Sequence, residues 1–204
     1  MQECQPFLRP TPITDLRPTQ MTVGLREVAR KRRDWEEQSR GADEAFLSHH
    51  LVPAVMGPKQ RPWLIDNHHL TLALHDAGQK TVLVHIVADL SHLPHDMFLT
   101  VMDNRNWLHP FDAKGVRQPA EDLPKKVTKL IDDPYRSLAG ELRRAGGYAK
   151  DDTPFSEFLW ADYLRRHIKP ALVAGDFDAA VKQALKAARS ADASYLPGYA
   201  APHG

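Results

Sequence analysis

An acid and two histidines lie where a short apolar run meets an amphipathic helix. Asp66 follows the run, and His68 and His69 open the helix. The helix is predicted from apolar residues at i, i+3, i+4 and i+7, which are Leu70, Ala73, Leu74 and Ala77. The first turn of a helix has unpaired N–H groups and the positive end of the helix dipole, so it attracts phosphate or carboxylate. Two imidazoles there predict an anion-binding site, and a capped helix with two surface histidines is the plainer alternative.

A second cluster of charged residues surrounds a predicted helix start at Pro134. Asp133 is expected to cap this helix, because an aspartate just before the first turn accepts hydrogen bonds from its N–H groups. Asp132 and Arg136 then remain as candidates for binding a metal or a substrate phosphate. Helix capping without any ligand is the competing explanation for this cluster.

The eleven histidines do not form a recognisable zinc motif. None shows the i, i+4 pair with an intervening glutamate that is specific for zinc hydrolases, so the identity of any metal is left open. The single cysteine, Cys4, excludes a disulfide framework and is compatible with a reducing compartment.

The segment from Asp66 to His69 resembles the phosphate-binding motif of the ParB/sulfiredoxin superfamily, and most closely its ParB-like nuclease branch. In that superfamily a strand runs into a motif of the Asp-Gly-His-His-Arg type, which opens a helix and grips nucleotide phosphates. Segments 16–20, 52–56, 61–65 and 80–84 resemble the family's strands in the same order along the chain. The resemblance covers about residues 14–110. It implies an α/β (α+β) fold, with a small mixed sheet and helices, and ligand contacts by Asp66, Asn67, His68 and His69.

Two departures from the family pattern bear on the chemistry. Asn67 replaces the glycine of the motif, and Leu70 replaces the arginine that often follows the histidines. The free-serine kinases of the superfamily use a glutamate where this chain has Gln20, and an amide cannot act as a general base. Gln20 is therefore interpreted as a ligand contact. Sulfinic-acid reduction is excluded, because it needs a cysteine at position 67.

Composition sets limits on the class of protein. The chain has 204 residues, 42% of them hydrophobic, and a formal net charge of +1. That charge gives no global attraction to nucleic acid or to acidic membranes, so DNA is a less favoured partner. The longest apolar stretches are too short to span a bilayer, and the N-terminal region lacks a signal-peptide pattern. A soluble, cytoplasmic protein is expected.

The chain is predicted to have three parts. They are a flexible arm at 1–14, a ParB/sulfiredoxin-like domain at 15–122 and a helical extension at 123–204. In the extension, Pro124 occupies a natural first position of a helix, and the lysines that follow it are interpreted as ordinary helix surface.

The leading hypothesis is a protein that binds a nucleotide or another phosphorylated ligand at Asp66–His69. If it is an enzyme, the resemblance favours phosphoryl transfer or phosphodiester or NTP hydrolysis, with ATP or CTP and Mg²⁺ as candidate cofactors. Asp66 would orient an imidazole or hold the metal, and His68 and His69 would contact phosphate or exchange protons. The alternative is a non-catalytic DNA-binding or partition accessory protein, or an interaction module. A homodimer is a candidate assembly.

Overall fold

The sheet that positions the histidine motif lies in the first of two units of the chain. The computed structural model describes residues 8–38 and 51–200. The first unit consists of the described residues within Met1–Val23, Val28–Asp112 and Val116–Ile131. The second unit takes those within Gly24–Glu27, Ala113–Gly115 and Asp132–Gly204.

The first unit contains a mixed five-stranded sheet with the order β1-β6-β4-β5-β2. Strands of the described chain are β1 (Leu8–Pro12), β2 (Arg17–Pro18), β3 (Thr22–Val23), β4 (Val52–Gly57), β5 (Arg61–Leu64), β6 (Thr81–Asp89) and β7 (Ile131–Asp132). Strands β3 and β7 form a separate two-stranded sheet. The prediction of a small mixed sheet with helices, an α+β fold, is confirmed.

The parallel pairing of β2 with β5 brings two distant segments of sequence together. Arg17 lies opposite Trp63, and Pro18 lies opposite Leu64. Because both strands run in the same direction, the residues that follow them meet at one edge of the sheet. Thr19 therefore lies beside the start of the helix that carries His68.

Helices of the described chain are α1 (Leu25–Gln38), α2 (His68–Asp76), α3 (His95–Asn104), α4 (Pro134–Arg144), α5 (Ser156–His167), α6 (Pro170–Gly175) and α7 (Phe177–Ala188). The apolar face predicted for α2 is confirmed, since Leu70, Ala73 and Leu74 are buried with the sheet residues Ala54 and Leu64. Helix α3 packs instead with a cluster that contains the neighbouring strand residues Val55 and Trp63. Successive strand residues point to opposite faces, so the two helices cover different faces of the sheet.

The predicted flexible arm is wrong for residues 8–14. Strand β1 pairs antiparallel with β6 over Leu8–Pro12, and Ile13 is buried in the core. Pro10 and Pro12 are compatible with this strand because β1 is outermost in the sheet order, and alternate N–H groups of an edge strand face away from its one partner and make no ladder bond. The remaining part of the predicted arm, 1–7, lies outside the described residues.

The second unit is helical, but it does not begin at residue 123. Leu123 and Val127 are buried in the core clusters of the first unit. The predicted helix start at Pro124 is wrong, because only a short 3₁₀ turn, Val127–Lys129, follows it. The predicted cap of α4 is confirmed: the Asp133 carboxylate accepts a hydrogen bond from the Tyr135 N–H at 2.9 Å.

Candidate functional site

Helix α2 begins at the edge of the sheet without a conventional cap. Asn67 occupies the N-cap position in a left-handed conformation, with φ 61° and ψ 26°. Its amide Nδ2 donates to the Leu51 carbonyl oxygen at 3.0 Å. None of the described side chains caps the helix, so its positive end is not neutralised by a capping oxygen.

Hydrogen bonds fix the backbone around Asn67. Its N–H donates to the Asp66 Oδ1 at 2.6 Å. Its carbonyl oxygen accepts from the Thr71 N–H at 2.8 Å and from the Thr71 hydroxyl at 2.9 Å. An asparagine tolerates the left-handed region better than most residues, so this turn is compatible with Asn67 in place of glycine.

His68 is buried and joins α2 to the end of β2. Only 3% of the residue is exposed, and its Nε2 accepts a hydrogen bond from the Thr19 N–H at 3.1 Å. The Thr19 hydroxyl donates in turn to the Leu64 carbonyl at 2.7 Å. These contacts connect the end of β2, the end of β5 and the start of α2 to one another.

Burial lowers the pKa of His68 to about 3, because the charged imidazolium would lose its hydration. A hydrogen bond to the Leu64 backbone raises this pKa, and the electrostatic interaction with His109 lowers it. The ring is therefore neutral near pH 7. Proton exchange, one of the roles predicted for His68, is disfavoured, whereas a positioning role follows directly from the Thr19 contact.

His69 is also buried, in the first turn of α2. Gln20 lies on the neighbouring segment after β2, and its Nε2 donates to the Thr22 carbonyl at 2.7 Å. His109 forms an isolated bridge with Gln20, and its N–H donates to the Thr19 carbonyl at 2.8 Å. The structure thus adds Thr19 and His109 to this region, neither of which carries a local sequence signal.

Asp132 and Arg136 belong to the second unit, where other residues already bind them. The Asp132 Oδ1 accepts a hydrogen bond from the Leu25 N–H at 2.8 Å. Arg136 Nη1 donates to Glu27 Oε2 at 3.0 Å, and both of these side chains are 8% exposed. These contacts account for both residues without a ligand.

Within residues 8–38 and 51–200, no group of three or more His, Cys, Asp or Glu side chains is placed to hold a metal ion. Asp66 is an exposed carboxylate, but one carboxylate does not make a metal centre. The same residues contain no helix that is long and apolar enough to cross a membrane.

The low pKa of His68 should make the protein sensitive to acid. Below pH about 6.5 the unfolded chain binds a proton at His68, which the folded chain does not bind until pH about 3. The free energy of unfolding should therefore fall, through this group, by about 1.4 kcal/mol per pH unit between those values. Urea denaturation across this range, with native protein and the His68→Gln variant, measures the effect.

In His68→Gln, the free energy of unfolding should depend less steeply on pH than in the native protein. His75→Gln changes the last turn of the same helix and should keep the native pH dependence. An unchanged acid dependence in His68→Gln would contradict a buried, neutral His68.

Comparison with known proteins supports the family resemblance. A family model described as "Putative ParB-like nuclease" matches residues 9–166. The crystal structure of protein Atu1540 from Agrobacterium tumefaciens is similar over 97% of this chain and 100% of that chain, with 50% sequence identity and a TM-score of 0.91. No curated protein matches the chain.

Proposed function

The chain belongs to the ParB-like nuclease family, whose model covers residues 9–166, and on that premise we propose that it binds the phosphate group of a nucleotide or another phosphorylated ligand at Asp66–His69. The observation that carries the proposal is the start of α2. No described side chain caps this helix, and the Asn67 Nδ2 donates to the Leu51 carbonyl oxygen instead. An uncapped first turn provides N–H donors and a positive dipole end for an anion.

The residues around this turn have different roles in the proposal. His69 lies in the first turn and contacts the bound phosphate. Asp66 is the exposed carboxylate beside it and orients the ligand or a proton-carrying group. His68 is a positioning residue, since its Nε2 is engaged by the Thr19 N–H. Gln20 lies at the same edge of the sheet, and its side-chain amide contacts the ligand.

The reaction class that this arrangement favours is phosphodiester or NTP hydrolysis, or phosphoryl transfer. Such reactions depend mainly on positioning and on neutralising charge at the phosphate, which a helix N-terminus and an imidazole can supply. Mg²⁺ commonly reaches a site with the substrate phosphates and one or two carboxylates. The described residues offer no preformed metal cluster, so no step is assigned to a metal.

The direct test is ligand-induced stabilisation measured by thermal unfolding. ATP, CTP and inorganic phosphate are each added with and without Mg²⁺. A ligand at about one hundred times its Kd stabilises the native state by about 2.7 kcal/mol, which corresponds to a rise in Tm of about 5–10 °C for a chain of this size. His69→Asn should show a smaller rise than the native protein, each measured against its own ligand-free Tm.

His75→Asn is the matched control, because it removes an imidazole from the last turn of the same helix. It should keep the full ligand-induced shift. Equal shifts in native protein and His69→Asn would remove Asp66–His69 as the binding site. Binding without release of a hydrolysed product would support the non-catalytic alternative over the enzyme.

A further inference from the structure

A cavity of about 550 Å³ lies away from Asp66–His69 in the first unit. All five strands of the main sheet contribute residues to its lining. Arg61 and Pro62, at the start of β5, line it, whereas Asp66 follows the end of the same strand. A cavity of this size matches those that bind small molecules and cofactors. We call it the basic groove.

The charges that line the basic groove are strongly unbalanced. Its cationic side chains are Arg9, Arg17, Arg61, Lys125 and Lys126, and its one acidic side chain is Asp15. None of these five cations forms an ion pair with any residue that the structure describes. The whole chain has a net charge of only +1, so positive charge is concentrated here and balanced elsewhere.

The environment of the Arg17 guanidinium is energetically unfavourable when no anion is bound. Its Nε is buried and lacks a hydrogen-bond partner among the described residues. Its guanidinium lies 5.6 Å from the centre of the Trp63 ring. Burial lowers the pKa of Arg17, and the nearby charge of Arg61 lowers it further. A buried donor without a partner and two neighbouring like charges are both unfavourable until an anion binds.

We propose that the basic groove binds a ligand that carries two or more adjacent phosphate groups. The arginines supply forked donors that match phosphate oxygens, and Lys125 and Lys126 supply mobile point charges. Met56, Pro62 and Ile86 add apolar surface for the organic part of the ligand. This site is separate from Asp66–His69, so it does not depend on the function proposed there.

The experiment measures binding of inorganic tripolyphosphate by calorimetry, using the full chain and the double variant Lys125→Gln with Lys126→Gln. Both lysines are exposed, so the variant should fold normally. Its affinity for tripolyphosphate should fall about tenfold or more, since charge-assisted hydrogen bonds are lost. The matched control is Lys182→Gln with Lys186→Gln, on the exposed side of α7, which removes the same charge outside the groove.

Two further probes identify the source of the phosphates. Binding of ATP but not of a short single-stranded oligonucleotide would assign the groove to free nucleotides. Oligonucleotide binding would instead weaken steeply with salt, and the double variant should reduce the slope of log affinity against log salt by about 1.4. His69→Asn should leave binding in the groove unchanged.

Four results would overturn the proposal, and the first three concern the probes and the lysine variants. They are no binding of any probe, equal affinities in native protein and the Lys125, Lys126 variant, or an equal loss of affinity in the Lys182, Lys186 control. A fourth result, loss of tripolyphosphate binding in His69→Asn alone, would assign the phosphate to the start of α2 and reject the groove.

Discussion

Replacing Arg136 by Ala is expected to lower the free energy of unfolding by about 3–5 kcal/mol. Arg136 and Glu27 form a hydrogen-bonded pair in which each side chain is 8% exposed. The variant leaves the Glu27 carboxylate buried without its guanidinium, and it removes the guanidinium that lies 5.3 Å from the centre of the Phe158 ring. Chemical denaturation at neutral pH measures the loss.

An exposed pair on the same helix as Glu27 provides the control. Arg32 binds Glu36 on α1, with side chains 49% and 47% exposed. Arg32→Ala should leave the denaturation midpoint close to the native one, because water and side-chain entropy offset exposed ion pairs. The double variant Glu27→Met with Arg136→Leu should recover much of the lost stability, since no buried charge remains. A loss below about 1 kcal/mol in Arg136→Ala would contradict a structural role for this pair.

Replacing His68 by Ala is expected to cost about 3 kcal/mol. The variant removes a buried ring and leaves the Thr19 N–H without its acceptor, the His68 Nε2. Both losses are large, because buried volume is not refilled completely and an unpaired buried donor loses its hydration. The measurement is the midpoint of urea denaturation at neutral pH.

His68→Gln should lose less than the alanine variant, because a glutamine side chain retains an oxygen that can accept from Thr19. His75→Ala changes the half-buried histidine at the other end of α2 and should stay within about 0.5 kcal/mol of the native value. If His68→Ala is as stable as His75→Ala, the contact with Thr19 does not hold the sheet edge and the helix together.

The contacts of Arg136 and His68 also narrow the set of residues that are candidates for binding a ligand. Arg136 was a predicted ligand contact, and its buried partner Glu27 gives it a structural role that stability measurements can establish independently. His68 was a predicted catalytic residue, and its hydrogen bond from the Thr19 N–H favours a positioning role for it. The ligand test therefore concentrates on His69 and Asp66, whose roles stay predictions.

Much of the first unit could be predicted because its signals are local. The apolar spacing of 70–77 predicted α2, and the resemblance of segment 80–84 predicted the strand that the structure has as β6. The motif at Asp66–His69 carried the family resemblance, which the match over 9–166 confirms. In the second unit, Asp133 was predicted to cap α4 from its position before proline, and its carboxylate does so.

Strand β1 and the basic groove could not be predicted in the same way. Pro10 and Pro12 usually disfavour strands, and only the outermost place of β1 in the sheet makes them compatible with one. Lys125 and Lys126 were interpreted as helix surface, but they line a cavity with Arg9, Arg17 and Arg61. These five cations are far apart along the chain, so no local sequence pattern indicates that they line one cavity.

The sequence by itself determined helix α2, the cap of α4 and the family motif at Asp66–His69, because each depends on residues a few positions apart. The tertiary structure alone decided which of the predicted residues are buried and which other residues they contact. Parallel pairing of β2 with β5 places the Thr19 N–H against His68, and burial then keeps that imidazole neutral. Packing across the sheet likewise concentrates positive charge in one groove of a chain whose net charge is +1. Burial and electrostatic fields depend on neighbours in space, and those neighbours are fixed only when the chain folds.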